Sequence, residues 1–171
     1  MVSPGDPSTT AGGATGAAPR PDEFRVAAPI EVRFRDLDGM AHVNNAVYLT
    51  YFEVARARYW KEMGEGEWTR LRTYVVARAE IDFKSPVTLQ DEVVCHVRVA
   101  SFGGRSFTMD YLLVDRRSGR TLALGRTVQA MFDYERGTSR PLDEEMKAAV
   151  RRFEGRPIPE LSGRSAARPG A

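Results

Sequence analysis

The sequence predicts an α+β fold in which one buried helix lies inside a curled antiparallel sheet. Three observations carry this prediction. Residues 44–64 read as a helix that is apolar on most sides, four strand-patterned segments follow it closely, and a fifth precedes it. A sheet long enough to wrap a central helix accounts for a helix with so little polar face.

The first strand lies in "APIEVRFRD", where Ile30, Val32 and Phe34 alternate with Glu31, Arg33 and Arg35, the period of a half-buried strand. In the helix, Tyr48, Phe52, Ala55 and Tyr59 recur at i, i+4, i+7 and i+11. Leu49, Val54, Trp60 and Met63 widen that stripe, and Gly64 and Gly66 end it. "VVARAEIDFK" is the next strand, with Val75, Ala77, Ala79, Ile81 and Phe83 alternating with Arg78, Glu80, Asp82 and Lys84. So clean a charged-and-apolar alternation suits a sheet edge that pairs with a second copy, so a homodimer, or a homotetramer built from it, is expected. "EVVCHVRVA" and "SFTMDYLLVD" form a hairpin across Gly103-Gly104, and "RSGR" turns the chain into a long strand from Thr121 to Tyr134. Pro141 opens a short second helix whose first turn holds Asp143, Glu144 and Glu145, as the helix dipole favours. Its apolar stripe is Leu142, Met146, Val150 and Phe153.

Composition limits the function. The chain has 171 residues, enough for one domain with a real core, and its net charge of +2 argues against general nucleic-acid binding. It holds one cysteine, Cys95, so no disulfide framework forms within a monomer. Two histidines and one cysteine without ligand spacing make a metal site improbable, and no cofactor is expected. No apolar run approaches the ~20 residues that cross a bilayer. Residues 1–24, rich in Gly, Pro, Ser, Thr and Ala, read as a disordered leader rather than a signal peptide. Residues 25–154 read as the domain, and 155–171 as a flexible tail. The expected location is cytoplasmic.

Between first strand and helix runs "RDLDGMAHVNNAVY", residues 35–48, which crowds Asp36, Asp38, His42, Asn44 and Asn45 into one loop. A helix start exposes unpaired N–H groups at the positive end of the dipole, and Asn44 or Asn45 can cap it. Such a terminus can also hold an oxygen that gains negative charge during a reaction. Asp38 stands seven residues before Asn45, and Gly39 permits a sharp turn that folds its carboxylate back beside that terminus. This is what hydrolysis of an activated acyl group needs: N–H groups polarise the carbonyl, and the carboxylate activates water or attacks the carbonyl itself.

At these residues "DLDGMAHVNNAVYLTYFEVAR" resembles the Asp-x-Asp … His-Val-Asn-Asn-x-x-Tyr … Glu-x-x-Arg stretch of hotdog-fold acyl-CoA thioesterases of the 4-hydroxybenzoyl-CoA thioesterase type. The element order is similar over roughly residues 26–150, while the specific motif spans 34–56. The resemblance implies a central helix wrapped by about five antiparallel strands, with active sites at a dimer interface. It implies that Asp38 is the catalytic carboxylate and that the Asn45 backbone N–H polarises the thioester carbonyl. "GRSF" resembles the segment where a basic residue meets the coenzyme phosphates. That implies the role for Arg105, with Ser106 beside it among the substrate-binding candidates. Family members commonly carry Gly directly before the His; here that position is Ala41, which a positive φ would strain.

The other residues admit plainer readings. Asp36 fits a solvated or loop-bracing role, and His42 either orients substrate or water, or fixes the loop. Asn44 lies with Asn45 at the helix start, and Tyr48 serves as core while able to line a pocket. Glu53 and Arg56, at i and i+3, fit an ion pair within the helix or across a dimer. Cys95 sits within an alternating strand with His96 on the other face, which disfavours a nucleophile, and Ser106 lacks a nucleophile elbow. The expected function is hydrolysis of an acyl thioester on coenzyme A or a carrier protein. The alternatives are a hydratase or dehydratase on the same fold, and a non-catalytic acyl-thioester-binding module.

Overall fold

The computed structural model describes residues 19–64 and 73–161. Helix α1, Val47–Met63, packs against the inner face of a curled antiparallel sheet. The strands are β1 (Val26–Pro29), β2 (Tyr74–Phe83), β3 (Val93–Phe102), β4 (Ser106–Asp115) and β5 (Thr121–Asp133), and they run in the order β1-β3-β4-β5-β2. A two-residue β6, Thr138–Ser139, pairs with β5. Helix α2, Glu144–Glu154, closes one end. The Asp143 side chain caps it by accepting from the Met146 N–H at 2.7 Å, and Gly155 ends it at φ 67°. No helix of the described residues is long and apolar enough to cross a membrane.

The predicted helix stripe is the buried one: Tyr48, Phe52, Ala55, Tyr59 and Trp60 are all inaccessible or nearly so. The seat of the helix is Gly125 on β5. A Cβ there would fall 2.2 Å from Cζ of Phe52, so the ring lies directly on the strand backbone. The same ring stacks on Tyr111 of β4 at 4.4 Å and 16°. Burial is narrower than expected, since Leu49 and Val54 are each 46 % exposed and Glu53 lies open between them. One flank of α1 is therefore uncovered in a single chain. Gly64 caps the helix; Gly66 lies outside the described residues.

Two strands differ from the sequence pattern. The first strand is Val26–Pro29, before the Ile30–Val32–Phe34 alternation expected to form it, and beyond Pro29 only the Ile30 N–H makes one more bond, to Val93 O at 2.9 Å. Residues 34–36 then form a 3-10 turn, leaving Phe34 83 % exposed. The cause is Asp36, whose carboxylate accepts from the Arg33 N–H at 3.0 Å and from the Arg33 guanidinium at 3.3 Å, a local bond that competes with strand pairing. Asp36 is buried rather than solvated, and the Tyr51 hydroxyl of α1 donates to it at 3.1 Å. It braces the loop against the helix. In β2 a bulge between Val76 and Arg78 breaks the alternation: Val76 is opposite the buried Gln129, whereas Val75 is opposite Ala130. The faces of β2 therefore exchange at Ala77. As expected for an edge, β2 pairs only with β5 among the described residues.

The chain beyond α2 returns to the sheet. Glu154 is buried and accepts from the Tyr59 hydroxyl at 2.8 Å and from the Val99 N–H at 2.7 Å, beside a bulge between Val99 and Ser101. Within the span expected as a tail, Ile158 is buried, Phe102 N–H donates to Pro159 O at 2.9 Å, and Leu161 N–H donates to Phe102 O at 2.7 Å. Residues 162–171, and residues 1–18 of the expected leader, lie outside the described residues.

Two outcomes follow from these contacts. Gly125→Ala should lower unfolding free energy by roughly 1–3 kcal/mol through forced displacement of Phe52, read as a lower denaturant midpoint; an unchanged midpoint would mean the ring is not seated there. Burial alone would push the Asp36 carboxyl up, but the Arg33 N–H, its guanidinium and the Tyr51 hydroxyl hold it below its ordinary value of 3.8. A depressed folded value gives stability that is complete above the ordinary value and lost as pH falls through the folded one. The stability gap between wild type and Asp36→Asn should therefore narrow below about pH 4; a gap independent of pH would show that the charge contributes nothing.

Candidate active site

The loop before α1 is a tight hairpin. Leu37 bridges Val43, Asp38 N–H donates to His42 O at 2.7 Å, and Asn44 N–H donates to Asp36 O at 2.9 Å. Val43 is buried, and its N–H bonds Val87 O at 2.8 Å, which ties the loop to the chain after β2. At the tip, Asp38 Oδ1 accepts from Met40 N–H at 2.8 Å and His42 N–H at 3.2 Å. The carboxylate is thus held by one oxygen, while Oδ2 has no protein partner among the described residues and the side chain is exposed. The left-handed residue of this turn is Ala41, at φ 61°; Gly39, expected to permit the turn, has no positive φ.

The helix start follows at once. Asn44 Oδ1 accepts from Ala46 N–H at 2.9 Å, and Val47 N–H bonds Asn44 O at 2.9 Å, so Asn44 is the cap. Asn45 is exposed, and its backbone N–H has no partner among the described residues. Tyr48, one turn in, is buried and meets Phe83 edge-on at 4.9 Å; burial and the nearby Asp91 carboxylate push its phenol up. His42 contributes its backbone to the loop, and its ring makes no hydrogen bond to Asp38.

Asp38, His42, Asn44, Asn45 and Tyr48 are gathered at the N-terminal end of α1. Arg105 and Ser106 are not with them. They precede Phe107, whose ring meets Trp60 edge-on at 5.7 Å near the C-terminal end of the same 17-residue helix, a length of about 25 Å. Arg105 is exposed and donates to Ser139 O at 2.6 Å and to Ser139 Oγ at 3.1 Å. Gly103 N–H bonds Ser106 O at 2.7 Å across the turn.

The expected Glu53–Arg56 pair does not form within the helix. Arg56 turns under α1 and donates to the Tyr111 hydroxyl at 3.3 Å, which shares a 3.0 Å bond with Thr127, itself bonded to the Gln129 side chain. Sequence reasoning missed this buried polar network. Its signal is the placement of Thr127 and Gln129 two apart on the core-facing side of an otherwise apolar strand. Cys95 is fully buried, and burial pushes its thiol far up, which leaves it inert. Replacing Ala41 by Gly should remove the left-handed strain and raise stability by about 1 kcal/mol, seen as a higher melting temperature; lower stability would mean the loop tolerates Ala without strain.

Comparison with known proteins agrees with this architecture. A model of the Thioesterase-like superfamily matches residues 32–150. A thioesterase from Thermus thermophilus, crystallised with coenzyme A and zinc, is 39% identical and superimposes with a TM-score of 0.72, covering 80% of this chain and 99% of its own. The Bacillus subtilis protein YsmA is 27% identical over 121 residues, 71% of this chain and 82% of that protein. The long-chain acyl-CoA thioesterase FadM of Escherichia coli is 24% identical over 120 residues, 69% of this chain and 91% of its own. The match over 119 residues and the helix packed in its curled sheet lead to one conclusion: the chain belongs to the Thioesterase-like superfamily, thioester hydrolases on the hotdog fold.

Proposed function

We propose that the protein hydrolyses an acyl-CoA, with Asp38 as base or nucleophile and the Asn45 backbone N–H as oxyanion donor. The observation that carries this reading is the half-satisfied carboxylate of Asp38. One oxygen is fixed by two loop N–H groups and the other is open, on a hairpin joined by the Asn44–Asp36 bond to a helix start with a free N–H. A fixed orientation with one free oxygen suits proton abstraction from water, or direct attack, because no side-chain search precedes the step. The free N–H lies at the positive end of α1, where charge developing on a thioester oxygen is stabilised. His42 and Asn44 serve as braces, through backbone and cap.

The substrate class is supported by the coenzyme A held by the Thermus relative and by the acyl-CoA substrate named for FadM. Arg105 and Ser106 would meet the phosphorylated end of that substrate. Within one chain they stand a helix length from Asp38, so the site needs a second copy. Two α1 helices packed antiparallel about a twofold axis set one protomer's Arg105 end beside its partner's Asp38 loop, and the open flank of α1 and free edge of β2 are available for that contact. A homodimer is therefore part of the proposal. A carrier protein would present the same phosphopantetheine arm.

Thiol release measured with short, long and aromatic acyl-CoAs, and with an acyl-carrier protein, tests the reading. Asp38→Asn should lower kcat by about a hundredfold or more while leaving the melting temperature near wild type. Unchanged turnover in that variant would remove Asp38 from the chemistry and direct attention to Glu53, exposed on α1.

A further inference from the structure

We propose that Arg56 selects the acyl group, its guanidinium taking a hydrogen-bond-accepting oxygen that the substrate carries about 10 Å beyond the thioester carbonyl. This deepens the hydrolase reading of the same site and rests on it. The first support is a trough on the concave side of the sheet. Val76, Ala79, Ile81 and Phe83 stand opposite Gln129, Thr127, Gly125 and Ala123, so all four face the helix side of β2. The helix leaves them open: Val76 and Phe83 are 46 % and 47 % exposed, with Ala79 exposed between them. Leu49 forms the facing wall. It lies three turns before Trp60 on the same side of α1, and Trp60 Nε1 donates to the Tyr74 hydroxyl of β2 at 3.1 Å. The trough begins where Phe83 meets Tyr48, in the first turn of α1 beside the Asn45 N–H.

The second support is what lies beneath it. Arg56 reaches under α1 to Tyr111 and is only half-buried, whereas Phe52, Ala55, Tyr59 and Trp60 around it are inaccessible. A guanidinium carries five N–H donors. The oxygens near this one are the Tyr111 hydroxyl, 3.3 Å from Nη1, and the Tyr74 hydroxyl, and no carboxylate pairs with it among the described residues. Both hydroxyls have other partners, Thr127 for Tyr111 and the Trp60 indole for Tyr74. A cation drawn out of water with neutral partners and spare donors is costly, and an oxygen brought to it by a ligand lowers that cost.

The depth follows from the helix. Phe52 stacks on Tyr111, so the guanidinium stands at the level of Phe52, seven residues or about 10 Å along α1 from Asn45. An acyl group entering the trough from the thioester meets apolar walls at Phe83, Ile81 and Leu49, and then donors. A plain hydrocarbon at that depth would cover the guanidinium without giving it an acceptor.

Hydrolysis of three acyl-CoAs of matched length, ending at that depth in a methyl, a hydroxyl or a carboxylate, tests the assignment. Wild type should favour the two oxygen-bearing substrates over the plain one by at least about tenfold in kcat/KM, and the two arms separate a neutral group from an ionised one. In Arg56→Met, of similar length and apolar, that ratio should fall to near one. The ratio is read within one variant, so partial loss of folded protein cancels, and if Arg56→Met fails to fold the wild-type ratio decides. A wild type indifferent to the terminal group, as a guanidinium engaged only by Tyr111 or by Glu53 of the partner subunit would be, overturns the proposal and leaves the hydrolase standing. So does a preference that survives in Arg56→Met. No turnover of any acyl-CoA overturns the hydrolase reading and this one with it.

Discussion

The contact on which the molecule depends is a phenyl ring lying on a strand without a side chain. Phe52 sits on Gly125 and stacks on Tyr111, and this fixes both how deeply α1 enters the sheet and how it is rotated. Rotation decides everything along the helix. With Phe52 inward, Tyr51 reaches Asp36 at one end, Arg56 reaches Tyr111 in the middle, and Tyr59 reaches Glu154 at the other. The flank carrying Leu49, Glu53 and Val54 is what remains open. A helix free to roll would lose the brace on the loop before it and, with that, the placement of the helix-start N–H.

The loop is rigid for a related reason. Its backbone groups are spent on one another and on Val87, and the buried Asp36 anchors it to α1. The carboxylate of Asp38 is held in place by the amides that follow it. Such a loop trades stability for position: Ala41 adopts a conformation that costs an L-residue about 1 kcal/mol, and the surrounding bonds hold it there.

Most of the architecture was legible because the signals were local. β4 has the bounds that its sequence pattern implies, the Tyr48–Phe52–Ala55–Tyr59 stripe is buried, and Asp143 caps α2. Where tertiary contacts decide, the pattern misled. Ile30, Val32 and Phe34 alternate correctly for a strand, yet the bond from Asp36 to Arg33 bends the chain out of the sheet. The bulge at Ala77 left no trace in a strand that alternates on paper. Arg56 and Glu53 are correctly spaced for an ion pair, but the buried hydroxyl of Tyr111, already bonded to Thr127, lies within reach beneath the helix and takes the guanidinium. At the site, the clustering of loop residues was legible, whereas the separation of Arg105 from them was not, because it depends on which end of α1 the β3–β4 turn reaches.

The Glu154 contact also sets an order in time. Val99, in the middle of β3, has its N–H satisfied by a residue 55 positions later, and Phe102 pairs beyond even that. A chain emerging from a ribosome at about 5–20 residues per second leaves that amide waiting roughly three to eleven seconds. Until α2 arrives, the bulged centre of β3 is an open seam in an otherwise complete sheet, and it is the last-made segment of the domain that seals it.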